Sequence, residues 1–238
     1  MWTNQALRNL SDKKIYSREE LFQIFFAEKE DLSESAFRWT LYNLQKEQQL
    51  FRVDYDAYVT VQQEELPVYR PVYSERGMEV REKLEDKFPE LTFVIFESVL
   101  LNEFLNHQIA QNTVYVQVEK DVSSYIFDEL QQEYTGSVLY KPGKNEFERY
   151  WTRDCIVVLE LVSQAPMSEE KPHEMTAEKL LVDIVAEKSI AATFSPSEVP
   201  LIYASMIESY QVERRRLNRY AGRRGKTELV KKYAGGRT

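Results

Sequence analysis

The chain has 238 residues, 43% of them apolar and 29% charged, a formal net charge of −8 and one cysteine, which is the composition of a soluble globular protein with one large domain or a few small ones. No apolar run approaches the roughly 20 residues of a bilayer span and the start, MWTNQALRNLSDKK, has no signal-peptide core, so a cytoplasmic protein without membrane contact is expected. Cys155 inside CIVVLELV excludes an intrachain disulfide and reads as a buried, inert thiol; His107 and His173 cannot make a zinc site by themselves; the seven glycines form no phosphate loop, and no cofactor is expected.

Residues 1 to 61 read as a winged helix-turn-helix. Trp2 to Leu10 is apolar-periodic and predicts a short helix. Ser17 and Glu20 form a capping box, hydroxyl to the Glu20 amide and carboxylate back to residue 17, so a second helix starts there and runs through LFQIFFAEK. Ser33 caps a third, ESAFRWTLYNLQKE, onto which Leu32 can staple through Phe37. At about 100° per residue, Phe37, Thr40, Leu41 and Leu44 share the core side, while Ser35, Arg38, Trp39, Tyr42, Gln45 and Lys46 share the other. Such a polar and aromatic stripe suits a recognition helix in a major groove. LFRVDYDAYVTV then alternates around Asp54-Tyr55-Asp56 and predicts a hairpin wing, whose Arg52 is a further expected DNA contact.

Charge argues the other way. Residues 1 to 66 hold eight basic and twelve acidic side chains, a net of 8 − 12 = −4, whereas phosphate neutralisation supplies most of a DNA reader's affinity. The missing attraction must come from a homodimer or from the basic tail. Alternatively, exposed Trp39 and Tyr42 make this a protein-docking module.

Gln62 to Gly77, QQEELPVYRPVYSERG, is broken by Pro67 and Pro71 and reads as a linker with Tyr69 and Tyr73 on a domain surface. A second domain then fills residues 78 to 238. Met78 to Phe88 predicts a charged helix closed by Pro89. LTFVIFE, TVYVQVEK, GSVLY and CIVVLELVS read as strands, SVLLNEFLNHQ and DVSSYIFDELQQEY as helices, and KPGKNEFERYWTRD as a loop, which implies an α/β core with a mostly buried sheet. After QAPMSEEKPHE come three helical segments, MTAEKLLVDIVAEK, PSEVPLIYASMIESY and VERRRLNRYAGRR, a small bundle. The expected class is α+β, a winged helix-turn-helix followed by an α/β domain that ends in helices.

Charge is unevenly spread. Between Glu213 and Arg237 lie ten of the 31 lysines and arginines against two acids, so this tail carries 10 − 2 = +8 and the remainder 21 − 37 = −16. On a wheel Tyr210, Leu217 and Ala221 form an apolar edge, while Arg216, Arg219 and Arg223 align within about 60° with Arg215 beside them. A guanidinium ridge suits phosphate or an acidic protein; equally, some of these arginines can satisfy internal acids and the rest be solvated. Glu178 lies among Leu181, Val182 and Val185 and calls for a cation, with the tail arginines as candidates. Lys179 and Asp183, four apart, can pair on the flank.

An enzyme has weaker support. Glu97, Glu119 and Glu160 fall near strand ends and, converging, would hold magnesium for a nuclease, which is the alternative function. The E-x-K order of a nuclease strand is absent, Asp154 after Gly136-Ser137 has no second acid two residues on, and two histidines leave a triad little choice. No catalysis is expected.

VYVQVEKDVSSYIFDEL, TAEKLLVDI and RLNRYAGRRG, behind a winged-helix start, resemble the antitoxins of abortive-infection type E (AbiEi-like) systems, the type IV toxin–antitoxin pairs. Thr176 to Asp183 is the strongest segment, with Tyr220-Ala221 and Arg223-Arg224-Gly225 about 40 residues on. The resemblance implies a bacterial repressor that binds operator DNA through its N-terminal domain and counters a nucleotidyltransferase-like toxin through its C-terminal one. By position it assigns DNA contact to Arg38, Tyr42, Gln45 and Lys46, and the C-terminal function to Glu178, Lys179, Asp183 and the Arg216, Arg219 and Arg223 ridge, beside Arg215. The acidic first module departs from the basic recognition face expected of such a repressor.

Overall fold

The computed structural model describes residues 2–10, 15–60 and 66–234 and separates into two units, Met1–Glu65 and Leu66–Thr238. The first unit holds α1 (Trp2–Arg8), α2 (Arg18–Glu28), α3 (Glu34–Lys46) and an antiparallel hairpin, β1 (Phe51–Asp54) and β2 (Ala57–Val59). Its helix starts follow from capping. Ser17 Oγ accepts the Glu20 amide at 3.1 Å and the Glu20 carboxylate accepts the Ser17 amide at 2.8 Å, which satisfies two amides that have no partner within the helix. Ser33 Oγ does the same for Ala36 at 3.2 Å. Leu32 and Phe37 are both buried in the core that includes Leu21, Phe25, Leu41 and Leu44. Arg18 ties the elements together, its amide bonding Asp56 of the hairpin turn at 2.7 Å and its guanidinium pairing with Glu34 of α3 at 2.6 Å.

The second unit starts within the expected linker. Residues 62–65 lie outside the described residues, but Tyr69 is 5% exposed and packs edge-on against Tyr210, and the half-buried Tyr73 donates its hydroxyl to the Ile95 carbonyl at 2.8 Å. The expected surface position of these tyrosines is thereby corrected: their rings cover apolar area that the sheet and helices would otherwise leave wet. The next helix, α4 (Glu75–Lys87), begins three residues before the expected Met78, because Ser74 caps it through the Gly77 amide at 3.2 Å.

Four strands follow, β3 (Phe93–Glu97), β4 (Thr113–Val118), β5 (Val138–Tyr140) and β6 (Cys155–Glu160), in the order β3-β4-β6-β5, with β3 antiparallel to β4 and the other pairs parallel. The helices are α5 (Ser123–Glu133), α6 (Lys144–Tyr150), α7 (Ala177–Ala186), α8 (Lys188–Ala191), α9 (Val199–Ser209), α10 (Arg214–Arg223) and α11 (Thr227–Ala234). Successive strand residues serve opposite faces. Phe93, Ile95, Val116 and Val158 pack with Val80 and Leu84 of α4 and with Ile126 and Leu130 of α5. Val94, Phe96, Tyr115 and Val157 pack with α7, α9, α10 and α11. Both faces are covered, so the strands read as unbroken apolar runs.

Two expectations inside this unit are corrected. SVLLNEFLNHQ forms only a 3-10 turn, Ser98–Glu103; the Asn102 side chain bonds both the amide and the carbonyl of Ile109, at 2.7 and 3.0 Å, closing a loop that competes with a helix. KPGKNEFERYWTRD, expected as a loop, contains α6. Gly143 caps it, the Glu146 carboxylate returns to the Gly143 amide at 3.4 Å, and Phe147 is the one residue it buries, too little for an apolar period.

Candidate functional site

On α3 the core side is Phe37, Thr40, Leu41 and Leu44, all buried. Opposite them Trp39 and Tyr42 are 68% and 63% exposed. Arg38 and Lys46 are exposed and Gln45 half-buried, and no acid pairs with Arg38 or Lys46 among the described residues. Arg52 is differently placed. Its guanidinium donates to the carbonyls of Asp54, at 3.0 Å, and Tyr55, so it braces the hairpin turn.

Two of the residues expected to meet a partner in the second unit, Lys179 and Asp183, form an internal cluster instead. Lys179 is 0% and Asp183 1% exposed; their Nζ and Oδ2 lie 2.5 Å apart. Lys179 also donates to Gln117 Oε1, and Asp183 accepts from Gln117 Nε2 at 3.0 Å and from the Tyr220 hydroxyl at 2.9 Å. Arg224 Nε sits 3.9 Å from Asp183 Oδ1, and its guanidinium pairs with Glu187. Two cations and two anions thus neutralise one another beneath α7 and α10. Burial pushes the Lys179 ammonium below its ordinary range, against the pull of Asp183, and burial and then Asp183 push the Tyr220 phenol up. Neither Lys179 nor Asp183 reaches the surface, so contact with a partner through them is corrected to a role in holding α10 on α7 and β4. Gln117, Glu187, Tyr220 and Arg224 were missed as members; the signal for Gln117 was a polar residue in the otherwise apolar TVYVQV.

Glu178 is 6% exposed on the floor of a cleft of about 390 Å³ beside Glu174, Glu213, Arg70 and Arg216. Among the described residues neither arginine, nor any other cation, forms an ion pair with Glu178. The carboxylate accepts the Glu213 amide at 2.9 Å and sits in the first turn of α7, where the helix dipole favours an anion; it therefore anchors the start of α10. The ridge changes composition. Arg216 turns inward, donating to the Met167 carbonyl at 2.7 Å and lying 3.9 Å from Glu213, while Arg215, Arg219 and Arg223 are exposed.

The carboxylates of the nuclease alternative do not converge. Glu97 pairs in register with Val114 and Glu160 with Val118, at opposite ends of β4. Glu97 is fully buried, Glu119 is exposed, and Glu160 pairs with Lys141 at 2.6 Å. Among the described residues no group of three or more His, Cys, Asp or Glu side chains is placed to hold a metal ion, and no helix is long and apolar enough to cross a membrane. Cys155 is buried, and burial pushes its thiol up to about 11. His107 contacts Glu198 at 2.9 Å at the surface and His173 stacks on Phe93.

No curated protein matches this chain. Among solved structures it is similar to the crystal structure of the RV2827C protein from Mycobacterium tuberculosis, at 10% identity over 100% of this chain and 82% of that one, with a TM-score of 0.34, a likeness too slight to bear on fold or activity. Residues 36–236 match the profile described as a family of unknown function, DUF6577, and the chain belongs to that family.

Proposed function

We propose that this protein is a DNA-binding regulator of the antitoxin type. Its first unit acts as a winged helix-turn-helix that reads operator DNA with the outward face of α3, and its second unit counters a nucleotidyltransferase-like toxin. The observation that carries the reading is the α3 face itself. Arg38, Trp39, Tyr42 and Lys46 stand exposed on one side of a helix whose other side is locked into the core. Two large aromatics left in water forgo about 1.5–3 kcal/mol of burial each, and cations without acidic neighbours remain available for phosphates and base edges. Arg52 is not part of this face. The resemblance to type IV antitoxins supports the role of the second unit, whose toxin-facing surface excludes the buried Lys179 and Asp183.

A gel shift on the DNA upstream of the gene tests it. Arg38→Ala with Gln45→Ala removes base contacts worth about 1–3 kcal/mol each, so retention should weaken at least tenfold with loss of sequence preference. Unchanged retention overturns the assignment. The net charge of −4 on residues 1–65 favours one other reading, a protein-docking face; wild-type protein that ignores DNA but loses toxin rescue on Trp39→Ala would establish it.

A further inference from the structure

We infer that the outer face of α10 is a phosphate-backbone contact, a sequence-independent nucleic-acid site in the second unit. Arg215, Arg219 and Arg223 are exposed at successive four-residue steps, which lines them up along the helix at about 6 Å per step. Asn218 and Gly222 stand exposed between them, and α10 contains no acid. Arg215 and Arg219 have no acidic partner among the described residues, and Arg223 only touches Ser163 Oγ at 3.4 Å. The row is held rigid from behind, since Leu217, Tyr220 and Ala221 are buried and Tyr220 bonds Asp183. On neighbouring α11, Lys231 and Lys232 are exposed as well.

A polyanion fits this face better than an acidic protein does. Protein interfaces centre on buried aromatic or aliphatic anchors, and no large apolar side chain is exposed anywhere between residues 151 and 234. Guanidinium groups spaced by a small residue and an amide suit phosphates, where attraction comes from charge and counterion release. The site also supplies the attraction that the acidic first unit lacks, although it would act even if α3 read no sequence.

Full-length protein is titrated by fluorescence anisotropy onto an upstream duplex and a scrambled duplex of ~20 base pairs, between about 50 and 200 mM salt. The variants are Arg215→Gln/Arg219→Gln/Arg223→Gln and the charge-keeping triple lysine form. Each lost phosphate contact lowers the salt slope by about 0.9, so the glutamine form should lose two to three units of slope on both duplexes, weaken both by the same factor, and recover with lysine. If the wild type shows no preference for the upstream duplex but the slope still drops, the row is a polyanion site and the operator reading fails. A glutamine form that keeps the wild-type slope overturns the inference and leaves α3 untouched, and so does one that binds DNA normally but no longer rescues cells from the toxin. Absence of binding to either duplex overturns both.

Discussion

Gly77 is where the second unit has least room, and alanine there should be costly. A Cβ built on Gly77 lies 2.4 Å from Glu97 Oε2 and 2.5 Å from its Cδ, so the carboxylate has to retreat by about 1 Å to reach the ~3.5 Å of ordinary contact. It has nowhere to go. Glu97 is fully buried and accepts from the Ser74 amide at 2.8 Å, the Ser74 hydroxyl at 2.6 Å and Asn112 Nδ2 at 2.5 Å. Hydrogen bonds to a charged group contribute about 1.5–3 kcal/mol each, whereas exchanging glycine for alanine inside a helix returns only about 1 kcal/mol. Weakening two of the three bonds gives a net loss of about 2–5 kcal/mol, or about 4–20 °C in Tm for a unit of this size. Because the chain has two units, urea melts should be paired with hydrogen exchange at the β3 and β4 amides, which reports the second unit alone. Glu97→Asp withdraws the carboxylate by one methylene, so Gly77→Ala/Glu97→Asp should lose less than the sum of the single losses. A Gly77→Ala protein as stable as the wild type would refute the close approach of helix and carboxylate.

Three further outcomes follow from the buried charges and phenols. Lys179→Met leaves Asp183 without its closest cation and should cost about 3–5 kcal/mol, measured by urea denaturation; Lys179→Met/Asp183→Leu should cost less than the sum of the single changes, and strict additivity would mean that the two side chains do not act as a pair. Arg224→Gln should loosen α10 from α7, seen as faster amide exchange in α10, and wild-type exchange there would show the Asp183 contact to be idle. Burial raises the phenols of Tyr69, Tyr115, Tyr203 and Tyr220, so above about pH 10 the unfolded chain ionises while the fold holds its protons, and each tyrosine removes about 1.4 kcal/mol per pH unit. Lys179, lowered by burial, acts in the opposite sense below the ordinary lysine range. Stability should therefore fall once the pH passes about 10, each of these rings adding its own share to the slope; a urea midpoint that stays flat beyond that point contradicts the burial of these rings.

How far the sequence could be read depends on whether an element has a solvent side. Helix α3 has one, so a wheel separates Phe37, Thr40, Leu41 and Leu44 from Arg38, Trp39, Tyr42 and Lys46 along the boundary that the structure draws. The caps at Ser17 and Ser33 were equally legible, because their geometry spans three residues and needs nothing distant. Helix α7 has no such side: Ala177 to Ile184 are all buried. A wheel assumes that polar residues look outward, and so it put the Lys179 and Asp183 pair on a flank. On a helix enclosed all round, the same four-residue spacing signals an internal ion pair, and the lone Gln117 in a buried strand is its complement. Tyr220 and Arg224, 37 and 41 residues beyond Asp183, enter the cluster only through packing of α10 on α7, which no local pattern encodes. The same enclosure explains why the charge of the tail divides as it does. Arg224 and Arg216 are drawn in by acids and carbonyls of the body, while Arg215, Arg219 and Arg223, one helical turn apart on the far side, stay in water because the fold offers them no acid. A basic run in an acidic chain is therefore two things at once, an internal counter-charge and an external face. The structure separates them by which side of Leu217 and Tyr220 each arginine occupies.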